Sequence, residues 1–341
     1  MIKTAEELTQ AAVQACQMLK NYDCRILVCS GTGCIATGSN KIHEIFEDIV
    51  KAAPNVQLPS MISGQQEALE YMAVNYWNGI TDPSRSYPSD SVLVSGVRRD
   101  DVEQKFADWT SIMEYAGPGV WSKAVGNLYD RALACERKDT ASQVFETFVD
   151  LFQKYFYDPN SPVRNEDVYC HFVSRYASYE GLSDVLRAKY EREARLSALN
   201  KVGTKATDFR FADRRGKMMN LYDVKAEMTL LFFSNPGCEA CMQIINVLSE
   251  EPMIASHIAS GRLAVVNVYI DEDIQAWREY MPIYPEEWYN GFDPDYVLRS
   301  NELYSVRAIP SLYLLDADKR VILKDAPESK VFDTLAMYLN N

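Results

Sequence analysis

The spacing of apolar positions changes twice along this chain. Residues 3–20 place Leu8, Val13, Cys16 and Leu19 near helical spacing. The short run "CRILVCS" then predicts a strand, "GTGCIATGS" a glycine-rich turn, and "NKIHEIFEDIVKAA" a second helix stopped at Pro54. The two-proline stretch "PNVQLPSMISG" marks a boundary, and from about 64 to 200 the pattern is helical. Helices are predicted over "GQQEALEYMAVNYWNGI", "DDVEQKFADWTSIMEYA", "GVWSKAVGNLYDRALAC", "ASQVFETFVDLFQKYFY", "NEDVYCHFVSRYASY" and "LSDVLRAKYEREARLSAL". Between them, "YDPNSPVRNED" is turn chemistry ending in a polar cap.

After "NKVGTKATDF" the period falls from 3.6 to 2. "DFRFAD-RRG-KMMNL" predicts a hairpin, "MTLLFFS" and "RLAVVNVYID" buried strands, and "AIPSLYLLDADKRVILKDA" a strand, a turn and a strand. Helices are expected at "PGCEACMQIINVLSEE", "IQAWREYM" and "SKVFDTLAMYLNN". Three parts follow: a helix–strand–helix appendage at 1–58, an all-helical domain at 59–200, and an α/β domain at 201–341.

Bulk composition narrows the classes. At 341 residues the chain exceeds one small core, and 47% apolar with 24% charged residues suits a globular protein. A formal charge of −13 repels phosphate, which argues against nucleic acid and anionic membranes as partners. No stretch approaches the roughly 18 apolar residues that span a bilayer. The N-terminus has no apolar signal core or small-residue cleavage site, so the chain as written is expected in the cytoplasm.

Of the eight cysteines, only two local spacings suggest chemistry, Cys238/Cys241 and Cys29/Cys34. The three histidines, His43, His171 and His257, lie near neither pair, whereas zinc wants four clustered ligands. Cys238 and Cys241 can be a redox couple, half of a metal site or inert core thiols. Their context favours the first. A buried strand precedes them and a helix begins at them, so the helix dipole and its free N–H groups favour a thiolate at Cys238. Cys241, one turn on, is placed to form or resolve the disulfide.

Residues from about 202 to 341 resemble the thioredoxin-like superfamily, and within it the bacterial TlpA/ResA-like thiol–disulfide oxidoreductases. "LLFFSNPGCEAC" and "YSVRAIPSLYLLD" carry the likeness. The resemblance implies a cis-proline at Pro310 packed against the pair, and a substrate groove shaped by Ile309, Pro236 and Glu239. It also implies exchange through a Cys238–Cys241 disulfide with no organic cofactor, a protein or peptide disulfide as substrate, and a thiol protein as electron donor. Family members usually work in the periplasm, which conflicts with the N-terminus as written. Thioredoxins carry a buried acid on the strand before the pair. "TLLFFSNPG" has none, leaving Glu239, water or a residue elsewhere for that role. Residues of about 60–200 resemble a domain of unknown function found ahead of such domains in bacterial envelope proteins. The expected fold class is thus an all-α N-terminal and middle region followed by a thioredoxin-like α/β domain, a central mixed sheet flanked by helices.

The first 58 residues invite other readings. Gly31, Gly33 and Ala36 fit a variant dinucleotide fingerprint, but no acid ends a following strand. "LVCSGTGCIATGS" resembles the start of the thioredoxin-like 2Fe–2S domain of NADH dehydrogenase and hydrogenase subunits, in which Cys29 and Cys34 would be two of four ligands. The match stops before a second pair. The alternatives to an oxidoreductase are therefore a non-catalytic binding module on the same fold and an iron–sulfur electron carrier.

Overall fold

The computed structural model describes residues 64–85, 93–139 and 141–339. The appendage expected at 1–58, with Cys29 and Cys34, lies outside the described residues. Close packing divides the chain between Leu151 and Phe152.

In the first unit the expected helices form as α1 (Gln65–Asn75), α2 (Arg99–Ala116), α3 (Pro118–Lys138) and α4 (Val144–Phe152), the last ending at the division. α2 buries Val102, Phe106, Trp109, Ile112, Met113 and Ala116, the i, i+3, i+4 stripe of an amphipathic helix. Trp77, Phe106, Trp109 and Phe148 fill the core, and the Trp109 indole donates to Ala73 O at 2.9 Å. Leu93–Val94 (β1) and Val97–Arg98 (β2) form a small hairpin inside the segment expected to be helical throughout. Its two turn residues, Ser95 and Gly96, both have positive φ (52° and 76°), the geometry of a two-residue hairpin turn.

The second unit opens with a π-helical turn, Gln153–Tyr157, and the helices α5 (Glu166–Tyr176) and α6 (Asp184–Ser197). Asn165 caps α5 by accepting from Val168 N at 3.1 Å, and Glu166 and Asp167 follow in the first turn, where the dipole favours acids. Then come β3 (Arg210–Asp213), β4 (Met218–Asn220), β5 (Met228–Phe233), α7 (Glu239–Glu250), α8 (Pro252–Ala259), β6 (Leu263–Tyr269), α9 (Ile274–Tyr280), β7 (Tyr289–Phe292), α10 (Val297–Ser300), β8 (Ser311–Asp316), β9 (Val321–Leu323) and α11 (Glu328–Leu339).

β3 to β9 make one mixed seven-stranded sheet in the order β4-β3-β7-β6-β5-β8-β9, with β5, β6 and β7 parallel. Every residue of β5 and β6 is buried, as their largely apolar runs lead one to expect; Thr229 and Asn267 are the polar exceptions. Side chains alternate between two cores. Met228, Leu230 and Phe232 meet Cys241, Ile244 and Leu248 of α7, while Leu231 and Phe233 join Phe209, Phe211 and Tyr304 on the opposite face. Burying each such side chain contributes about 1.5–3 kcal/mol. Strand β7 lies where the sequence pattern predicted no strand. Its Gly291 pairs with Asp213 of β3, and a Cβ there would strike the Phe211 ring and Ala212 O. Register sets the position of the site: Phe233 pairs with both Val268 of β6 and Ser311 of β8, so the ends of two strands and the start of a third meet at one end of the sheet.

Candidate redox site

β5 ends at Phe233, and the chain turns into α7 through Pro236 and Gly237, whose φ of 73° suits glycine. Cys238 is the N-cap of α7, and its Sγ accepts from Cys241 N at 3.1 Å. The two cysteines are disulfide-bonded, with Cα atoms 5.2 Å apart. Cys238 is half-buried and Cys241 fully buried in the α7-side core, while Glu239 is exposed in the first turn of α7. By contrast, Cys135 and Cys170 are free and buried, and burial pushes the Cys135 thiol up, away from ionisation. Among the described residues no three His, Cys, Asp or Glu side chains group as a metal site.

At the same end of the sheet, just before β8, the Ile309–Pro310 peptide bond is cis. Ile309 and Cys238 pack against the same core, and Ser311 directly after the proline is the β8 partner of Phe233. The fold therefore brings Cys238, Cys241, Ile309 and Pro310 to one end of the sheet. Pro236 lies half-buried in the turn between β5 and the pair.

Several polar groups here do not stand out from sequence spacing. Phe232, not an acid, faces α7 from β5. At the strand ends on that face, the Ser234 hydroxyl donates to Asn267 Oδ1 and lies 3.4 Å from the Tyr284 hydroxyl, and Asn267 donates to Asn290 at 3.0 Å. Burial raises the pKa of Tyr284. Asn235 donates to Asp271 at the end of β6, and Asp271 pairs with Arg299 of α10. The available signal was a lone asparagine within the apolar run of β6.

The proline side has its own buried charges. Asp325 accepts from Ser311 Oγ at 2.7 Å and from Arg307 Nη2 at 2.6 Å. Glu166 of α5 lies 3.2 Å from both Arg307 Nε and Lys324 Nζ and accepts from Ser305 Oγ at 2.5 Å. Lys324 Nζ also donates to Ser197 O and Leu199 O, at 2.7 and 2.6 Å. Burial pulls the Arg307 pKa down, but Glu166 and Asp325 outweigh it and the net shift is upward.

Strand, Cys-x-x-Cys helix and cis-proline strand in this arrangement define a thioredoxin-like domain. Over 83% of this chain and 97% of the other, the structure is similar to that of a thioredoxin-like protein from Bacteroides caccae, at 29% identity and a TM-score of 0.71. Two shorter solved structures are also similar. One is the C-terminal domain of an uncharacterized protein from Bacteroides fragilis, at 43% identity over 40% of this chain and 98% of that one, TM-score 0.39. The other is the thioredoxin domain of a thiol-disulfide oxidoreductase from Bacteroides vulgatus, at 20% identity over 41% and 99%, TM-score 0.36. Residues 33–201 match the family model of a domain of unknown function, DUF5106, so the thioredoxin-like domain is preceded by that segment. No curated protein matches the chain.

Proposed function

We propose that this chain is a thiol–disulfide oxidoreductase acting on protein or peptide disulfides. The observation that carries the proposal is a half-buried Cys238 at the N-cap of α7, disulfide-bonded to a buried Cys241 one turn on. In the reduced protein the amide dipoles of α7 favour the Cys238 thiolate. The thiolate attacks one sulfur of a substrate disulfide, forming a mixed disulfide and releasing the other sulfur as a thiolate. Cys241 then attacks Cys238 Sγ, freeing the second substrate thiol and leaving the Cys238–Cys241 disulfide. The substrate gains two electrons and the pair loses them; a thiol protein restores the dithiol. Run backwards, the same steps oxidise a substrate dithiol.

The proline side supplies the groove. Main-chain groups of Arg307, Ala308 and Ile309 have no hydrogen-bond partner among the described residues, which suits an incoming extended chain that pairs with them. An envelope location fits the resemblance, and cell fractionation tests it; among the described residues no helix is long and apolar enough to cross a membrane.

Insulin reduction, followed as turbidity, tests the enzyme reading. Wild-type protein with a dithiol donor is expected to precipitate the insulin chains and Cys238→Ser to lose that activity. Equal inertness of both would instead favour a binding module on the thioredoxin fold.

A further inference from the structure

The family match ends at residue 201, yet α5 and α6 pack with the thioredoxin-like sheet in one unit. Their ties converge on the loop before Pro310. Glu166 holds Ser305 and Arg307, and the Tyr157 ring lies 4.5 Å from the Arg307 guanidinium. Asn200 Nδ2 donates to Leu303 O at 2.8 Å. Arg164, just before α5, donates to Asp325 O and Ala326 O at 2.9 and 2.8 Å, behind the carboxylate that holds Arg307 and Ser311. Glu166, Asp167 and Asp325 share Arg307 and Lys324, and burial outweighs the two cations at Glu166 and raises its pKa. With the side chain of Arg307 only 9% exposed and that of Glu166 fully buried, these ties are shielded from water and salt.

The loop needs such anchors, because its main chain from Arg307 to Ile309 makes no hydrogen bond to other described residues. Side chains on either side must fix it. Beside it opens a cavity of about 400 Å³ whose lining includes Tyr157 and Leu196 from the helical segment and Tyr304, Ser305 and Arg307 from the loop.

We infer that the α5–α6 hairpin is part of the substrate groove, and that Arg307, gripped by Glu166 and Asp325, is the positioning residue for the Ile309 main chain on which a polypeptide docks. This rests on the oxidoreductase reading for its substrate, though not for its geometry. A substrate long enough to lie along the loop uses the positioned main chain and the neighbouring cavity. A small disulfide that reaches only Cys238 does not.

The test uses the full chain with two variants, Arg307→Lys and the double variant Glu166→Gln/Arg307→Met, the second chosen because it keeps the net charge of the cluster: Lys324 retains Asp167, and Asp325 retains its bond from Ser311. With insulin, KM is expected to rise about tenfold at nearly constant kcat, the loss of about one main-chain hydrogen bond from binding. With oxidised glutathione the rate stays within about twofold, as does the glutathione equilibrium constant of the Cys238–Cys241 pair. Amide exchange at Leu303 and Val306, the loop amides that donate to Leu298 O and Tyr304 O, accelerates about tenfold in both variants, while that of α7 is unchanged. Unchanged insulin KM or unchanged exchange in folded variants overturns the inference. So does a matching loss with glutathione, which would mark a general structural role. If wild-type protein is inert towards insulin, the oxidoreductase reading falls, and the exchange measurement alone decides whether Arg307 positions the loop.

Discussion

Consecutive residues from Leu230 to Cys241 build one side of the candidate site, whereas the facing side is assembled from stretches around Glu166, Ser305–Ser311 and Lys324–Asp325. On the cysteine side a buried apolar strand, a glycine turn and a helix start fix the pair almost by chain connectivity. On the proline side the main chain of 307–309 has no hydrogen-bond partner among the described residues, and buried ion pairs flank it. The two modes fail differently. Apolar strands tolerate change that preserves volume, while a buried ion network is costly to break because each removed partner strands another charge.

The most severe way to expose that difference is Glu166→Ala. It leaves Lys324 and Arg307 short of a partner, and stability is expected to fall by about 3–5 kcal/mol. Urea denaturation followed by circular dichroism reads the loss. A change below about 1 kcal/mol, typical of exposed ion pairs, would mean that α5 contributes little to the proline side and would erase the contrast.

Legibility followed the same division. "MTLLFFS" and "RLAVVNVYID" announced β5 and β6 because strands buried on both faces are apolar nearly throughout, and the Cys-x-x-Cys spacing located α7. The hairpin of β3 and β4 and the strands around "DADKR" were legible from period-2 patterns and turn residues. Strand β7 was not, because "YNGF" is short, and its glycine answers to the Phe211 ring of a distant strand rather than to local propensity. Nor were Glu166, Arg307 and Asp325. Each reads locally as an ordinary surface charge, and only tertiary contact shows them to be mutual partners. Lys324 in "VILKDA" was the nearest hint, a cation directly after an apolar run.

A milder change probes how accurately α5 must deliver Glu166. Asn165→Ala removes the cap on Val168 N and is expected to cost about 1 kcal/mol, with little change in exchange over α7. If the cap only steadies the helix end, exchange rises at the start of α5 alone. Faster exchange as well at Val306, whose amide donates to Tyr304 O, would show that the aim of Glu166 depends on the cap, sharpening the view of the proline side as a long-range assembly.

The smallest expected effect is one of pH, and it too separates the sides, because His171 belongs to α5. Burial lowers its pKa in the folded protein, Lys201 adds to the shift, and Asp167 opposes it. Above about pH 6.5 the imidazole is neutral in both folded and unfolded chains and stability is indifferent to it. As pH falls through that value the unfolded chain takes up a proton that the folded chain still refuses, so stability declines until the folded pKa is passed, and then levels off. Denaturation midpoints between pH 8 and pH 5 should therefore slope downward in wild-type protein and less so in His171→Gln. Identical slopes would mean that the α5 face around His171 is open enough to water to accept the charge.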